Sequence, residues 1–103
     1  MDRIPLGTAD LDSRVRDLHP DWQASTEALV RSVQFPSFLA AVRFIDELAP
    51  VAERLDHHPD LALSWRTVQL TLSTHSAGGV TELDIVLAQE LDVIAAQISG
   101  PAG

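Results

Sequence analysis

Apolar residues recur along this chain at two spacings, and each change of spacing marks an element. Leu11, Val15 and Leu18 stand four and three apart, which predicts a short helix capped by Thr8 and running to Leu18. His19-Pro20 closes it, because the residue before a proline avoids helical backbone angles. From Trp22 to Phe35 the pattern is that of a strand with a turn near Ser25–Glu27. Leu29, Val33 and Phe35 share a face there, and Arg31 interrupts it. After Pro36-Ser37 the helical spacing returns through Phe38, Ala41, Ile45, Leu48, Ala52 and Leu55. Pro50 falls inside this run. A proline in a helix interior costs about 3 kcal/mol, so the helix is expected to kink or restart there. Either way Val51–Asp56 remains helical, and Pro59 forbids continuation.

Strict alternation follows. Leu61, Leu63 and Trp65 point one way and Ala62 and Ser64 the other; Val68, Leu70 and Leu72 then alternate with Gln69, Thr71 and Ser73. So few residues separate the runs that they predict a hairpin around Arg66-Thr67, with Trp65 in the core. Ala77–Gly79 reads as a loop. Thr81 is placed to cap a last helix, with Asp84 in the capping-box position. Leu83, Leu87, Leu91, Ile94 and Ile98 form that helix's apolar stripe, and Gly100-Pro101 stops it. Helix, strand, helix, two strands, helix is the order of an α+β domain in two layers. One such domain fills residues 1–103, with 1–7 and 99–103 expected as flexible ends. The sheet face away from the helices would carry Ala62, Ser64, Gln69, Thr71 and Ser73, bare unless a second subunit covers it.

Charge narrows the partners. Fifteen acids against seven bases give a net charge of −8. Such a surface repels phosphate backbones and anionic membranes, so neither nucleic acid nor membrane is an expected partner. The chain has no cysteine, which removes disulfides, thiolate metal sites and a cysteine nucleophile. No apolar run reaches the roughly 20 residues of a membrane span, and the first residues lack the apolar core of a secretory leader. The expectation is a cytoplasmic protein.

The candidate chemistry lies in "ERLDHHPD", "LSTHSAGG" and "TELD". Glu53 and His57 stand four apart on a helix and so share a face. His75 follows the second hairpin strand, and Asp84 lies in the first turn of the last helix. Each imidazole thus has a carboxylate nearby in sequence. Such a partner fixes a histidine's tautomer and stabilises its protonated form, as acid–base work near neutral pH requires. The same residues also admit plainer readings: a solvated His-His pair, a capping Asp84, a tight glycine loop. Three imidazoles are a known zinc set. But adjacent His57 and His58 diverge at a helix end, and no HExxH pattern is present, so no metal is expected.

The run Glu53-x3-His57-His58-Pro59-x5-Trp65-x9-His75-x8-Asp84 resembles the signature of the pterin-4a-carbinolamine dehydratases. The likeness extends from about Trp22 to Ala96. It implies a four-stranded antiparallel sheet with helices on one face, in homodimers or homotetramers. It implies loss of water from 4a-hydroxytetrahydropterin to give quinonoid dihydropterin, within tetrahydropterin recycling and with no cofactor. It makes His57, His58, His75, Glu53 and Asp84 catalytic, with Glu53 orienting His57 and Asp84 orienting His75. Asp56 and Asp60 stand behind them. Pro59, Trp65, Ser73 and Thr74 would bind the pterin, the last two through the strand-end backbone. Relatives that serve as dimerisation or assembly partners supply the alternative, a non-catalytic role on the same fold.

Overall fold

The computed structural model describes residues 3–99. Its elements are α1 (Thr8–Val15), β1 (Gln23–Ala24), β2 (Leu29–Gln34), α2 (Phe38–Leu55), β3 (Asp60–Ser64), β4 (Thr67–Leu72) and α3 (Glu82–Ser99). The four strands form one antiparallel sheet in the order β1-β2-β4-β3. Helix α2 carries the chain from β2 to the far edge, and β4 then fills the gap between β2 and β3. The fold is α+β, with the helices on one sheet face.

Register decides which side chains meet the helices. Leu29, Arg31 and Val33 of β2 lie opposite Leu72, Leu70 and Val68 of β4, and all six are buried. Against them pack Ala41, Phe44 and Leu48 of α2 and Ile85, Leu87, Leu91 and Ile94 of α3. Phe44, which the three-and-four pattern passes over, is fully buried against Phe35 at 5.0 Å between ring centroids. Phe38 is instead 54% exposed and Leu39 69%. The opposite sheet face presents Ser32, Gln34, Ala62, Ser64 and Gln69 to solvent.

Arg31, the break in β2's apolar face, has its explanation on α3. Asp92 accepts from the Arg31 guanidinium at 2.5 Å, from Trp22 Nε1 at 2.7 Å and from the His19 amide at 2.9 Å. A buried cation is tolerable only when paired and hydrogen-bonded, and this cluster supplies the pairing.

Several elements differ from the spacing-based expectation. Helix α1 ends at Val15, and Gly7 rather than Thr8 precedes its first turn. Helix α2 runs through Pro50 without restarting. The proline deprives the Asp46 carbonyl of a partner, but both residues are exposed and water can replace the lost bond. The hairpin turn is Trp65-Arg66, because Ser64 pairs with Thr67. Trp65 takes a left-handed φ of 53° and is 70% exposed, with the Arg66 guanidinium 4.7 Å above its ring. It leaves the core because the strand stops one residue before it. Residues 3–7, expected to be loose, are tied down. The Leu6 amide donates to the Val80 carbonyl at 2.9 Å, and Pro5 bridges to Thr81. The expected stop at Gly100-Pro101 lies outside the described residues.

Candidate active site

Two helix ends and one strand end converge beside β3. Helix α2 finishes in a Schellman turn: the His57 amide donates to the Ala52 carbonyl at 3.0 Å and the Asp56 amide to Glu53 at 3.2 Å. Asp56 supplies the left-handed residue, φ 49°, a conformation that aspartate accepts more readily than most residues. The turn folds His57 back under the helix, only 6% exposed, and leaves His58 outside. Pro59 then releases the chain into β3.

Helix α3 runs antiparallel to α2, so its first turn meets this corner. Thr81 and Asp84 form the anticipated capping box: the Leu83 amide donates to Thr81 Oγ1 at 3.3 Å, and Asp84 Oδ2 accepts from the Thr81 amide at 2.9 Å. Arg14 of α1 pairs with Glu82 through both carboxylate oxygens, and that hydrogen bonding raises the guanidinium pKa further.

Asp84 does more than cap. Its side chain is wholly buried, and Oδ1 lies 2.5 Å from His57 Nε2. Oδ2 also accepts from the Thr74 hydroxyl at 2.8 Å, and Thr74 Oγ1 lies 2.8 Å from Thr81 Oγ1. With Asp84 ionised, one proton arrangement satisfies all of these contacts: Thr81 donates to Thr74, Thr74 to Asp84, and His57 Nε2–H to Asp84. Donors meet both oxygens, which is how a carboxylate survives burial. His57 is thereby held as the Nε2–H tautomer. Its Nδ1 has no partner among the described residues and is not among the side-chain atoms sealed from solvent.

Thr74 reaches this network because it continues the inward parity of Val68, Leu70 and Leu72 past the end of β4. The loop after it closes on itself, Thr74 and Gly79 exchanging backbone bonds of 3.0 and 3.4 Å. The loop rests on the turn between β1 and β2, where the Val80 amide and the Ser73 hydroxyl donate to the Thr26 and Glu27 carbonyls. Only glycine fits position 79, since a Cβ there would stand 2.4 Å from the Thr26 carbonyl oxygen.

The other two imidazoles are open to water. His58 Nε2 lies 2.5 Å from Glu53 Oε2. His75 is 85% exposed in its side chain, with Nε2 3.9 Å from Asp60 Oδ2. All three histidines line one cleft of about 270 Å³, together with Arg3, Asp56, Ser73, Thr74 and Ser76. A larger hollow of about 480 Å³ on the open sheet face holds no imidazole.

The pairing therefore differs from the implied one. Glu53 meets His58 rather than His57, because the Schellman turn rotates His57 away from Glu53. Asp84 meets His57 rather than His75, because antiparallel helices place the end of α2 against the start of α3. Asp60 is the carboxylate nearest His75. Pro59 shapes the approach to β3 but does not line the cleft, and neither does Trp65. Four steps of extended strand, about 13 Å, separate the two ends of β3, and Trp65 lies beyond the far end. Arg3 and Ser76 line the cleft and carried no signal in the sequence pattern. Among the described residues no three of His, Asp and Glu converge as a metal-ligand set.

With this geometry in hand, the relatives are informative. The family model for pterin 4 alpha carbinolamine dehydratase matches residues 4–94. A protein of Nocardia farcinica, provisionally named pterin-4-alpha-carbinolamine dehydratase, is 48% identical over 90 residues, covering 87% of this chain and 94% of its own. One of Mycolicibacterium smegmatis under the same provisional name is 43% identical over 89 residues, covering 86% and 94%. Among solved structures, a transcriptional coactivator/pterin dehydratase from Brucella melitensis superposes with a TM-score of 0.83 at 40% identity, covering 87% of this chain and 97% of that one. A pterin dehydratase-like protein described as a RuBisCO assembly factor in the alpha-carboxysome shares the fold, with a TM-score of 0.60 at 24% identity over 72% and 86%. The match to the family model spans nearly the whole chain, and the chain belongs to the pterin 4 alpha carbinolamine dehydratase family.

Proposed function

We propose that the chain removes water from 4a-hydroxytetrahydropterin, giving quinonoid dihydropterin, by proton transfer among the histidines of this cleft. The observation that carries the reading is three imidazoles on one cleft, each with a carboxylate partner at 2.5 to 3.9 Å. The C4a hydroxyl leaves as water once protonated. The adjacent ring nitrogen gives up its proton, and its electron pair completes a C=N double bond. No electrons leave the substrate, so the step calls on no redox cofactor, and in this reading imidazoles supply both proton transfers without a metal. Imidazole, with an unperturbed pKa of about 6.5, suits both transfers.

The environments divide the roles. His57, tethered through Nε2–H to a buried carboxylate, offers an unprotonated Nδ1 and serves as the base. Asp84 stabilises the imidazolium that forms, as the carboxylate does in a serine-hydrolase triad. The acid comes from the water-facing pair, His58 beside Glu53 and His75 beside Asp60, which exchange protons with solvent. The strand-end backbone of Ser73–His75 borders the flat ring. The place of the reaction is recycling of a tetrahydropterin after a hydroxylation that leaves oxygen on C4a.

The exposed, mostly polar sheet face and the two relatives described as a coactivator and an assembly factor support a second reading, a non-catalytic partner in an assembly. The decisive experiment is water loss from synthetic 4a-hydroxytetrahydropterin with and without the protein. Acceleration at sub-stoichiometric protein supports the dehydratase. A rate equal to the uncatalysed one, with recovery of a stoichiometric partner on capture, supports the second reading.

A further inference from the structure

We infer that Arg3 contacts the bound pterin and donates to the carbonyl oxygen of its pyrimidinone ring. The inference rests on the dehydratase reading and adds to it a residue outside the histidine and carboxylate set. Residues Pro5 and Leu6 are tied to Thr81 and Val80, beside the capping box of α3. That anchorage carries Arg3 onto the cleft wall, where its Nη2 donates to the Asp56 carbonyl at 3.1 Å. Asp56 directly precedes His57, so the guanidinium sits beside the proposed base.

An inventory of donors points to the role. Among the described lining residues, the Ser73 hydroxyl is taken by Glu27, the Thr74 hydroxyl by Asp84, and the Thr74 amide by Gly79. Nε2 of His57 and of His58 are taken by Asp84 and Glu53, and the remaining imidazole nitrogens are those the proton transfers use. A pterin ring brings a strong acceptor, its carbonyl oxygen, which loses affinity if buried without a donor. The side-chain donors left to meet it are Arg3 and Ser76, beside the backbone amides of His75 and Ser76 at the strand end. A guanidinium has five N–H donors in a planar fork, and among the described residues one is engaged, at Asp56. The chain's six other arginines are placed elsewhere: Arg14, Arg31, Arg43 and Arg54 pair with carboxylates, Arg66 lies over Trp65, and Arg16 caps the end of α1. A bond made alike in ground and transition states lowers KM and leaves kcat unchanged.

The test is titration calorimetry with 7,8-dihydropterin and with 2,4-diamino-7,8-dihydropteridine, in which an amino group replaces the carbonyl. Each ligand is titrated into wild type, Arg3→Ala and Arg3→Lys, with a melting curve for each protein. Arg3→Ala is expected to weaken 7,8-dihydropterin about tenfold, the worth of one charge-assisted bond at a solvent-facing wall, and to leave the diamino compound and the melting temperature unchanged. Arg3→Lys is expected to fall between. The kinetic counterpart is a raised KM at constant kcat. Equal weakening of both ligands, or of neither, overturns the inference. The first of these outcomes assigns Arg3 to holding the end of α2 through Asp56. If Arg3→Ala melts early, Arg3→Gln, which keeps a donor for Asp56, is subjected to the same comparison. Wild type that binds neither compound overturns the dehydratase reading itself.

Discussion

Asp84 is the residue on which the site turns. It closes the first turn of α3, accepts from two threonines' worth of donors, and holds His57 by Nε2. Asp84→Asn keeps the shape but presents an amide nitrogen that clashes with one of these donors. The imidazole is then free to take its other tautomer. The proposed dehydration is expected to slow by about a hundred- to ten-thousand-fold, the range for one acid–base group. Steady-state kinetics with a melting curve separate that effect from unfolding. Thr74→Val removes one donor to a buried carboxylate and strands the Thr81 hydroxyl, at a cost of about 1–3 kcal/mol by chemical denaturation. Thr74→Ser restores the hydroxyl and is expected to recover most of that loss. At this scale the sequence pattern brought forward the three histidines of the cleft but not the partners they touch. The histidines and acids stood at readable spacings. Their pairing depended on the Schellman turn and on the helix packing, which no local pattern encodes.

At the scale of elements, α3, the hairpin strands and the long α2 were legible because each repeats its period several times. Short or mixed pieces were not. Trp65 continued the parity of Leu61 and Leu63, and nothing in Trp65-Arg66 carries the glycine or asparagine that usually announces a tight hairpin. Arg31 read as an interruption because its partner, Asp92, lies on another element 61 residues away in sequence. Pro50 illustrates a cost borne inside a continuous helix. Pro50→Ala restores an amide for the Asp46 carbonyl and removes the ring's clash. The expected gain is about 1–3 kcal/mol, since the alanine chain also gains freedom when unfolded. Thermal unfolding measures it. Activity is expected to stay unchanged, because the Schellman turn at Asp56, rather than the middle of α2, sets the position of His57.

For the whole molecule, one layer of helices covers one face of the sheet, and the other face remains in solvent. Exposed Phe38 and Leu39 at the start of α2 and the free edge of β3 give a chain of this size apolar and edge surfaces that a second copy can cover. The proposed homodimer or homotetramer is measured by light scattering. Leu39→Glu is expected to shift the mass toward the monomer if the α2 surface is used, and an unchanged mass points to the strand edge or the open face. Among the described residues no helix is long and apolar enough to cross a membrane. The central claim is that the cleft joining the end of α2 to the end of β4 carries out the dehydration. Its most direct test is the rate of water loss from 4a-hydroxytetrahydropterin, followed by absorbance, for wild type, His57→Ala and His75→Ala. Acceleration by wild type, with each substitution lowering it by about a hundredfold or more while the protein stays folded, is the predicted result. Folded variants as fast as wild type, or a wild type no faster than buffer, would contradict it.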